Sequence, residues 1–79
     1  MQKSLSSKKQ YAFLSLLKEI RESAGLRQQD VAIKLKQPQS FVSKYESGER
    51  RLDLLELEQV CATCGIDLAE FINRYLKAT

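Results

Sequence analysis

Two cysteines, Cys61 and Cys64, stand three positions apart and are the first residues of the sequence whose spacing could support chemistry. The same spacing occurs in zinc sites and in thiol redox motifs. One pair supplies only two of the four ligands of a structural zinc ion, and the chain has no His to add to them. We therefore expect no metal site and two buried, reduced thiols, as in an intracellular protein.

The lack of His also excludes the commonest catalytic arrangements. Without it, a Ser or Cys nucleophile loses its usual base, and no other set of acids and bases with catalytic spacing replaces it. No apolar run approaches the roughly 20 residues of a membrane-spanning helix. We predict a cytoplasmic protein that is not an enzyme, needs no cofactor, binds no small-molecule ligand and does not contact a membrane.

The positive charge of the chain is concentrated in its first two thirds. The net charge is +3, but residues 1–26 and 27–51 each carry +3 and residues 52–79 carry −3. Basic segments favour polyanionic partners such as nucleic acid, and acidic segments do not. We therefore expect the first two thirds to face a polyanion and the last third to lie away from it.

Apolar residues recur at three- and four-residue steps along the chain, a pattern that predicts helices and no strands. A chain of 79 residues forms one domain around a single core. We therefore predict one all-α domain over residues 1–79. After a flexible lead-in at residues 1–6, the five predicted helices cover residues 8–24, 28–36, 39–47, 54–64 and 67–77.

Start and stop signals set most of these boundaries. Ser7 begins a segment with the spacing of a capping box, and Asp53 with Glu56 begins another. Arg27 is a weak cap for the second helix, because Ser or Thr would be expected there. Pro38 suits the first position of the third helix, where no amide hydrogen is needed.

Each predicted helix has an apolar face that we expect to form the core. On the third helix this face consists of Val42 and Tyr45, whereas Phe41 lies on another side and is expected to be exposed. The other apolar-face positions are Phe13, Leu14, Leu17, Ile20, Ala24, Val31, Ala32, Leu35, Leu54, Leu57, Val60, Cys61 and Cys64.

The second and third predicted helices are short, and only Gln37 and Pro38 separate them. So short a connection forces a large angle between the helices, which is the helix-turn-helix arrangement. The second helix of such a pair can enter the major groove of DNA, which is about 12 Å wide. The pair therefore predicts a DNA-binding domain.

Several residues around this turn have a spacing that is specific in combination. They are Gln28, Ala32, Val42, Glu46 and Gly48. From Leu17 to Phe71 the sequence resembles the Cro and phage-repressor-like proteins, also called the XRE family of helix-turn-helix proteins. The resemblance implies a compact, lambda-repressor-like domain of five helices. It also implies a sequence-specific transcriptional regulator of prokaryotic or phage type, and we expect a repressor.

Two residues of the turn depart from the family's pattern. Lys36 stands where members often have Gly, and Pro38 replaces a capping Ser or Thr. Lys36 fits the turn if its φ is not strongly positive, because a side chain disfavours the left-handed region.

The resemblance further implies a buried ion pair between Arg21 on the first helix and Glu46 near the end of the third. The corresponding Arg and Glu commonly pair in the family. The alternative is that both charges are solvated, which is the more common state of these residue types.

By the geometry of the family, residues near the start of the third helix face the base edges of DNA. They are Gln39, Ser40, Phe41, Ser43 and Lys44. Gln39 is expected to pair with adenine, and Lys44 to donate to guanine or to a phosphate. Phe41 is expected to contact thymine methyl groups; the alternative is that it packs at the edge of the core. The residues expected to contact phosphates are Gln28, Arg50 and Arg51.

One recognition helix reads only a few base pairs. Members of the family bind DNA as two-fold dimers, so the resemblance implies a homodimer on a near-palindromic operator, with the two recognition helices about 34 Å apart. Apolar residues of the fifth helix are the candidates for the dimer contact. They are Leu68, Phe71, Ile72, Tyr75 and Leu76. The alternative is that several of them close the core of the monomer.

Two other functions remain open at this point. A protein-interaction module could keep the same fold without reading DNA, although the basic third helix, Arg50 and Arg51 argue against it. A regulator could also sense thiol oxidation or a metal ion through Cys61 and Cys64.

Overall fold

The computed structural model describes the backbone of residues 3–78 and the side chains of residues 8–78. This part of the chain forms five α-helices and no strands, as predicted. The helices are α1 (Lys3–Ser23), α2 (Gln28–Leu35), α3 (Gln39–Ser47), α4 (Leu54–Thr63) and α5 (Leu68–Ala78). None of these helices is both long enough and apolar enough to cross a membrane.

Helix α1 begins at Lys3, earlier than the predicted start at residue 8. Ser7 therefore lies inside the helix and not at its cap. Once the packed part of a helix has formed, each further residue costs little to add, so polar residues can extend it without an apolar face. Residues 1 and 2 of the predicted flexible lead-in lie outside the described residues, and residues 3–6 belong to α1.

The core lies where α3 packs on α1 and α2 and where α5 packs on α1 and α4. Its buried apolar residues are Leu16, Leu17, Ile20, Val31, Ala32, Val42, Tyr45, Leu57, Val60, Cys61, Cys64 and Phe71. Leu16 joins the core without having been predicted. Two predicted core residues, Ala24 and Leu54, are exposed, because each lies at the end of a helix.

The capping of α4 follows the predicted pattern. The Glu56 amide donates to Asp53 Oδ1 at 2.8 Å, and the Asp53 amide donates to Glu56 Oε1 at 2.9 Å. The weak cap of α2 is reinforced from within the helix, because the Arg27 amide donates to Asp30 Oδ2 at 2.8 Å. Hydrogen bonds from the Arg27 side chain and backbone lower the pKa of Asp30 to about 2.

The joint between α2 and α3 fixes the angle at which α3 is presented. Lys36 ends α2 with φ 58° and ψ 43°, in the left-handed region. The condition under which Lys36 was expected to fit the turn, a φ that is not strongly positive, is therefore not met. The amides of Lys36 and Gln37 donate to Ile33 O at 3.1 Å and Ala32 O at 2.9 Å, and these bonds compensate the strain. Pro38 is the cap of α3 and not its first helical residue.

We expect Lys36→Gly to raise the free energy of unfolding by about 0.5–1 kcal/mol, because glycine has no Cβ to strain a left-handed backbone. Thermal unfolding followed by circular dichroism would register this gain as a melting temperature a few degrees higher. Gln37→Gly is the matched control: Gln37 has no positive φ, so glycine there only adds flexibility and should lower the melting temperature. The strain argument fails if both variants shift the melting temperature in the same direction.

Candidate nucleic-acid interface

An ion pair anchors α3 to the core. Arg21 Nε donates to Glu46 Oε2 at 2.7 Å, and Arg21 Nη2 donates to Glu46 Oε1 at 3.0 Å. The two side chains are only 10% and 6% exposed. A third bond runs from Arg21 Nη1 to Leu26 O at 2.9 Å. The hydrogen bond with Glu46 raises the pKa of Arg21. The structure thus places together the two residues of the expected ion pair, and it joins α1 to the end of α3.

The same carboxylate orients Gln28 at the start of α2. Gln28 Nε2 donates to Glu46 Oε1 at 3.1 Å. An ionised carboxylate only accepts hydrogen bonds, so the amide nitrogen of Gln28 must face Glu46 and its oxygen must face the other way. That oxygen accepts a hydrogen bond of 3.4 Å from Gln39 Nε2. The first residue of α3 is therefore connected to the buried ion pair through Gln28.

This connection leaves Gln39 with a free hydrogen-bonding edge. Its side chain is exposed, and Gln28 uses only one of the two hydrogens on its amide nitrogen. One hydrogen and the amide oxygen remain available, and a donor and an acceptor on one amide are the groups that pair with N7 and N6 of adenine in the major groove.

The other residues predicted to face bases lie along the same helix. Ser40 and Lys44 are exposed. Ser43 is half-buried, and its hydroxyl donates to the Ser40 carbonyl oxygen at 3.4 Å. Lys44 is therefore the exposed cation of α3, one turn beyond Ser40.

Phe41 is half-buried, so the prediction of an exposed aromatic is wrong and the alternative of packing at the core edge is what the structure has. Its ring packs edge-on against Tyr45 with centroids 5.5 Å apart. The guanidinium of Arg50 lies over the ring, 4.6 Å from its centroid. Phe41 lies one helical turn before Tyr45, so the spacing itself puts the two rings on one side of α3, and the loop after α3 adds Arg50 over the Phe41 ring.

The two arginines of that loop have different surroundings. Arg50 Nη1 and Nη2 donate to the two carboxylate oxygens of Glu56 at 3.1 and 2.9 Å. These bonds lower the pKa of Glu56 and raise that of Arg50. Arg51 is exposed, and within the described chain its guanidinium has no ion pair. Of the two arginines predicted to bind phosphates, only Arg51 therefore presents an unpaired cation.

Comparison with known proteins shows which family has this arrangement of helices. The family model described as helix-turn-helix matches residues 17–71. The chain belongs to the XRE family of helix-turn-helix proteins. A solved XRE-family like protein from Pseudomonas syringae pv. tomato str. DC3000 has 39% sequence identity and a TM-score of 0.88, and the alignment covers 98% of this chain and 94% of that one. A search of curated proteins found no match.

Membership of the XRE family makes the chain a DNA-binding transcription regulator. The fold expected from the resemblance is thereby confirmed.

The C-terminal helix of this XRE-family domain is used mainly to close the core. Phe71 is 1% exposed and packs edge-on against Phe13 with centroids 6.0 Å apart, so its prediction as a dimer contact is wrong. Leu68 and Tyr75 are half-buried. Ile72 and Leu76 are exposed and can still meet a second chain. Apolar spacing alone cannot separate a core position from an interface position on such a helix.

The two cysteines of the XRE-family domain are buried and free, as predicted. Burial raises the pKa of Cys61 to about 11 and also raises that of Cys64. A thiol that stays protonated near neutral pH is a poor nucleophile and a poor metal ligand. The described residues contain no group of three or more metal-ligating side chains. The geometry therefore gives no support to a thiol-sensing or metal-sensing site.

Sequence reasoning missed one residue that shapes the interface. The sequence pattern identifies Glu56 only as the capping partner of Asp53, yet the same carboxylate also binds Arg50. An Arg and a Glu six positions apart, across a loop, have no spacing rule that predicts contact. The only available signal is that an acidic residue follows closely after a basic pair.

Proposed function

We propose that the protein is a sequence-specific repressor that inserts α3 into the major groove of double-stranded DNA and binds a near-palindromic operator as a homodimer. Family membership supplies the coarser statement, a DNA-binding transcription regulator. The observation that carries the proposal is the continuous set of hydrogen bonds from Arg21 through Glu46 and Gln28 to Gln39.

Base reading is supported by the polarity of these hydrogen bonds. Because Glu46 accepts only, Gln28 presents its oxygen to Gln39, and Gln39 keeps one donor and one acceptor for a base. Holding the amide in place before binding reduces the entropy that is lost on binding. An adenine in the major groove is the base whose donor and acceptor match this edge.

Backbone binding is supported by the exposed cations beside α3. Lys44 on α3 and Arg51 in the following loop are both exposed. Phosphate contacts from such residues hold the domain in register on DNA and carry little sequence information. Gln28 is half-buried and bound to Glu46, so its proposed phosphate contact would come from its backbone amide at the N-terminus of α2.

Dimer formation and repression complete the proposal. One α3 reads too few base pairs for a unique site, and a two-fold dimer doubles the sequence that is read. Ile72 and Leu76 of α5 are the exposed candidates for the contact. Occupying an operator blocks transcription without any further activity, which fits a small domain.

Selection of bound duplexes from a random DNA pool tests the proposal directly. We expect an enriched sequence with two inverted half-sites whose centres are about 34 Å, or one helical turn, apart. Light scattering of the protein with the selected duplex should show two chains per duplex, and light scattering of the protein alone gives its oligomeric state without DNA. A pool that shows no enrichment after repeated rounds would contradict sequence-specific binding, and one chain per duplex would contradict the homodimer.

Gln39→Ala and Arg51→Ala should weaken binding in different ways. Gln39→Ala should lower affinity for the selected operator by about 1–3 kcal/mol and leave affinity for random DNA almost unchanged. Arg51→Ala should weaken both duplexes alike and reduce the slope of log K against log salt by about 0.9 per bound chain, or about 1.8 for the homodimer. Titrations of both variants at several salt concentrations measure this. Equal loss on operator and random DNA for Gln39→Ala would refute its base-reading role.

A further inference from the structure

We infer that Arg50 is a positioning residue: it holds the Phe41 ring at the DNA-facing end of α3 and does not bind a phosphate. The inference rests on the proposed function and deepens it, because it names a determinant of sequence preference outside the recognition helix. It also replaces the phosphate role that the sequence suggested for Arg50.

The first support is the number of hydrogen bonds that the Arg50 guanidinium already makes. Two donors bind the carboxylate of Glu56 at 3.1 and 2.9 Å, and Nη1 also donates to the Arg51 carbonyl oxygen at 3.0 Å. A two-point Arg–carboxylate pair is among the stronger interactions of a protein surface. These bonds use three of the five guanidinium hydrogens, and the Glu56 carboxylate already balances the positive charge that a phosphate would bind, so it would repel a phosphate approaching Arg50.

The second support is that Glu56 is itself fixed. Its Oε1 also accepts the Asp53 amide at 2.9 Å, and its own amide donates to Asp53 Oδ1 at 2.8 Å. The carboxylate is therefore part of the cap of α4. The Arg50 backbone is fixed too, because its amide donates to the Lys44 carbonyl oxygen at 3.1 Å. Both ends of the Arg50 side chain are thus attached to helices.

The third support is the contact that this fixed guanidinium makes. It lies 4.6 Å from the centroid of the Phe41 ring, within the range of a cation–π interaction. Tyr45 packs against the same ring from the core, with centroids 5.5 Å apart. Phe41 contacts both groups and stays partly exposed, two positions after Gln39. The exposed part of a ring held in this way can contact a thymine methyl group in a defined position.

Arg50→Lys separates the two roles because it keeps the charge. Lysine can still neutralise a phosphate, but it loses the two-point bond to Glu56 and the flat surface over Phe41. If Arg50 positions Phe41, the ratio of operator affinity to random-DNA affinity should fall about tenfold, in the range of one base contact, while affinity for random DNA and the salt slope stay unchanged. If Arg50 binds a phosphate, Arg50→Lys should keep the ratio, and the inference is overturned.

A charge-balanced double variant, Arg50→Gln with Glu56→Gln, removes the pair without changing the net charge. The positioning role predicts a lower affinity ratio and an unchanged salt slope. A phosphate role predicts equal weakening of both duplexes and a slope reduced by about 0.9 per bound chain, which is also the expected behaviour of the control Arg51→Gln. The melting temperature of each variant is measured first, and the DNA titrations are made at a temperature at which all of the variants are folded.

A double-mutant cycle tests whether Arg50 acts through Phe41. Phe41→Leu alone should lower the affinity ratio, and adding Arg50→Lys to it should lower the ratio no further. Additive effects would overturn the inference, because they would mean that Arg50 acts elsewhere. If the parent protein selects no duplex at all, the proposed function fails and the inference fails with it. If the parent discriminates and Arg50→Lys discriminates equally, only the inference fails.

Discussion

Glu46→Ala should lower the free energy of unfolding by about 3–5 kcal/mol, because it leaves the buried Arg21 guanidinium with only the exposed Glu22 carboxylate, 4.0 Å away, as a counter-ion. The residue Arg21 is 8% exposed, and after the substitution its remaining described hydrogen bond is the one to the Leu26 carbonyl oxygen. A domain of this size is stable by roughly 5–15 kcal/mol, so the variant should unfold at a much lower urea concentration. Urea unfolding followed by circular dichroism measures the change.

Glu70→Ala is the matched control for this prediction. Glu70 also pairs with an arginine, Arg74, at 2.9 Å, but these side chains are 50% and 45% exposed. Exposed pairs of this kind contribute about 1 kcal/mol or less. The buried ion pair does not stabilise the fold if the melting temperature of Glu46→Ala is within a degree or two of the parent's, or is no lower than that of Glu70→Ala.

The contribution of the ion pair to the stability of the protein can be separated from its role in reading DNA. Replacing both partners with apolar residues, as in Arg21→Met with Glu46→Leu, leaves no buried charge and should recover most of the lost stability. It should not recover the operator preference, because Gln28 then has no carboxylate to orient its amide towards Gln39. A stable double variant with parental operator preference would show that Gln39 is oriented without this set of hydrogen bonds.

Local and periodic features were predictable from the sequence. The cap formed by Asp53 and Glu56, the short connection before Gln39, and the buried pair of Val42 and Tyr45 all depend on residues within a few positions of one another. Such features follow from helix geometry and turn chemistry. The fold class follows from them, because helices with single apolar faces have few ways to pack.

The features that were wrong or missed depend on contacts between distant parts of the chain. The Arg50 guanidinium lies over Phe41 because the loop after α3 returns across the ring, whereas the contact of Phe41 with Tyr45 is local to α3. Lys36 takes a positive φ because the amides of Lys36 and Gln37 donate hydrogen bonds to carbonyl oxygens of α2. These bonds offset the backbone strain, and the residue type alone does not show that they will form. Gln39 and Gln28 meet only because the helix pair brings both N-termini together. The ion pair of Arg21 and Glu46 came from family resemblance, since no local rule joins residues that far apart.

Phe71→Ala tests whether Phe71 of α5 closes the core of one chain or contacts a second chain. The substitution should lower the free energy of unfolding of the monomer by about 3–5 kcal/mol. The ring of Phe71 is 1% exposed and packs edge-on against Phe13, so alanine leaves a cavity between α1 and α5. The loss should be the same at low and high protein concentration, because it belongs to the core of one chain. Urea unfolding at several protein concentrations measures this.

Ile72→Ala, one position further along α5, gives the opposite expectation. Ile72 is 37% exposed, so truncating it should cost the monomer less than about 1 kcal/mol. If α5 forms the dimer contact, this variant should instead weaken the association of two chains on the operator, which light scattering on the selected duplex detects. A concentration-dependent loss for Phe71→Ala would mean that the ring is buried by a second chain, and the assignment of Phe71 to the monomer core would then fail.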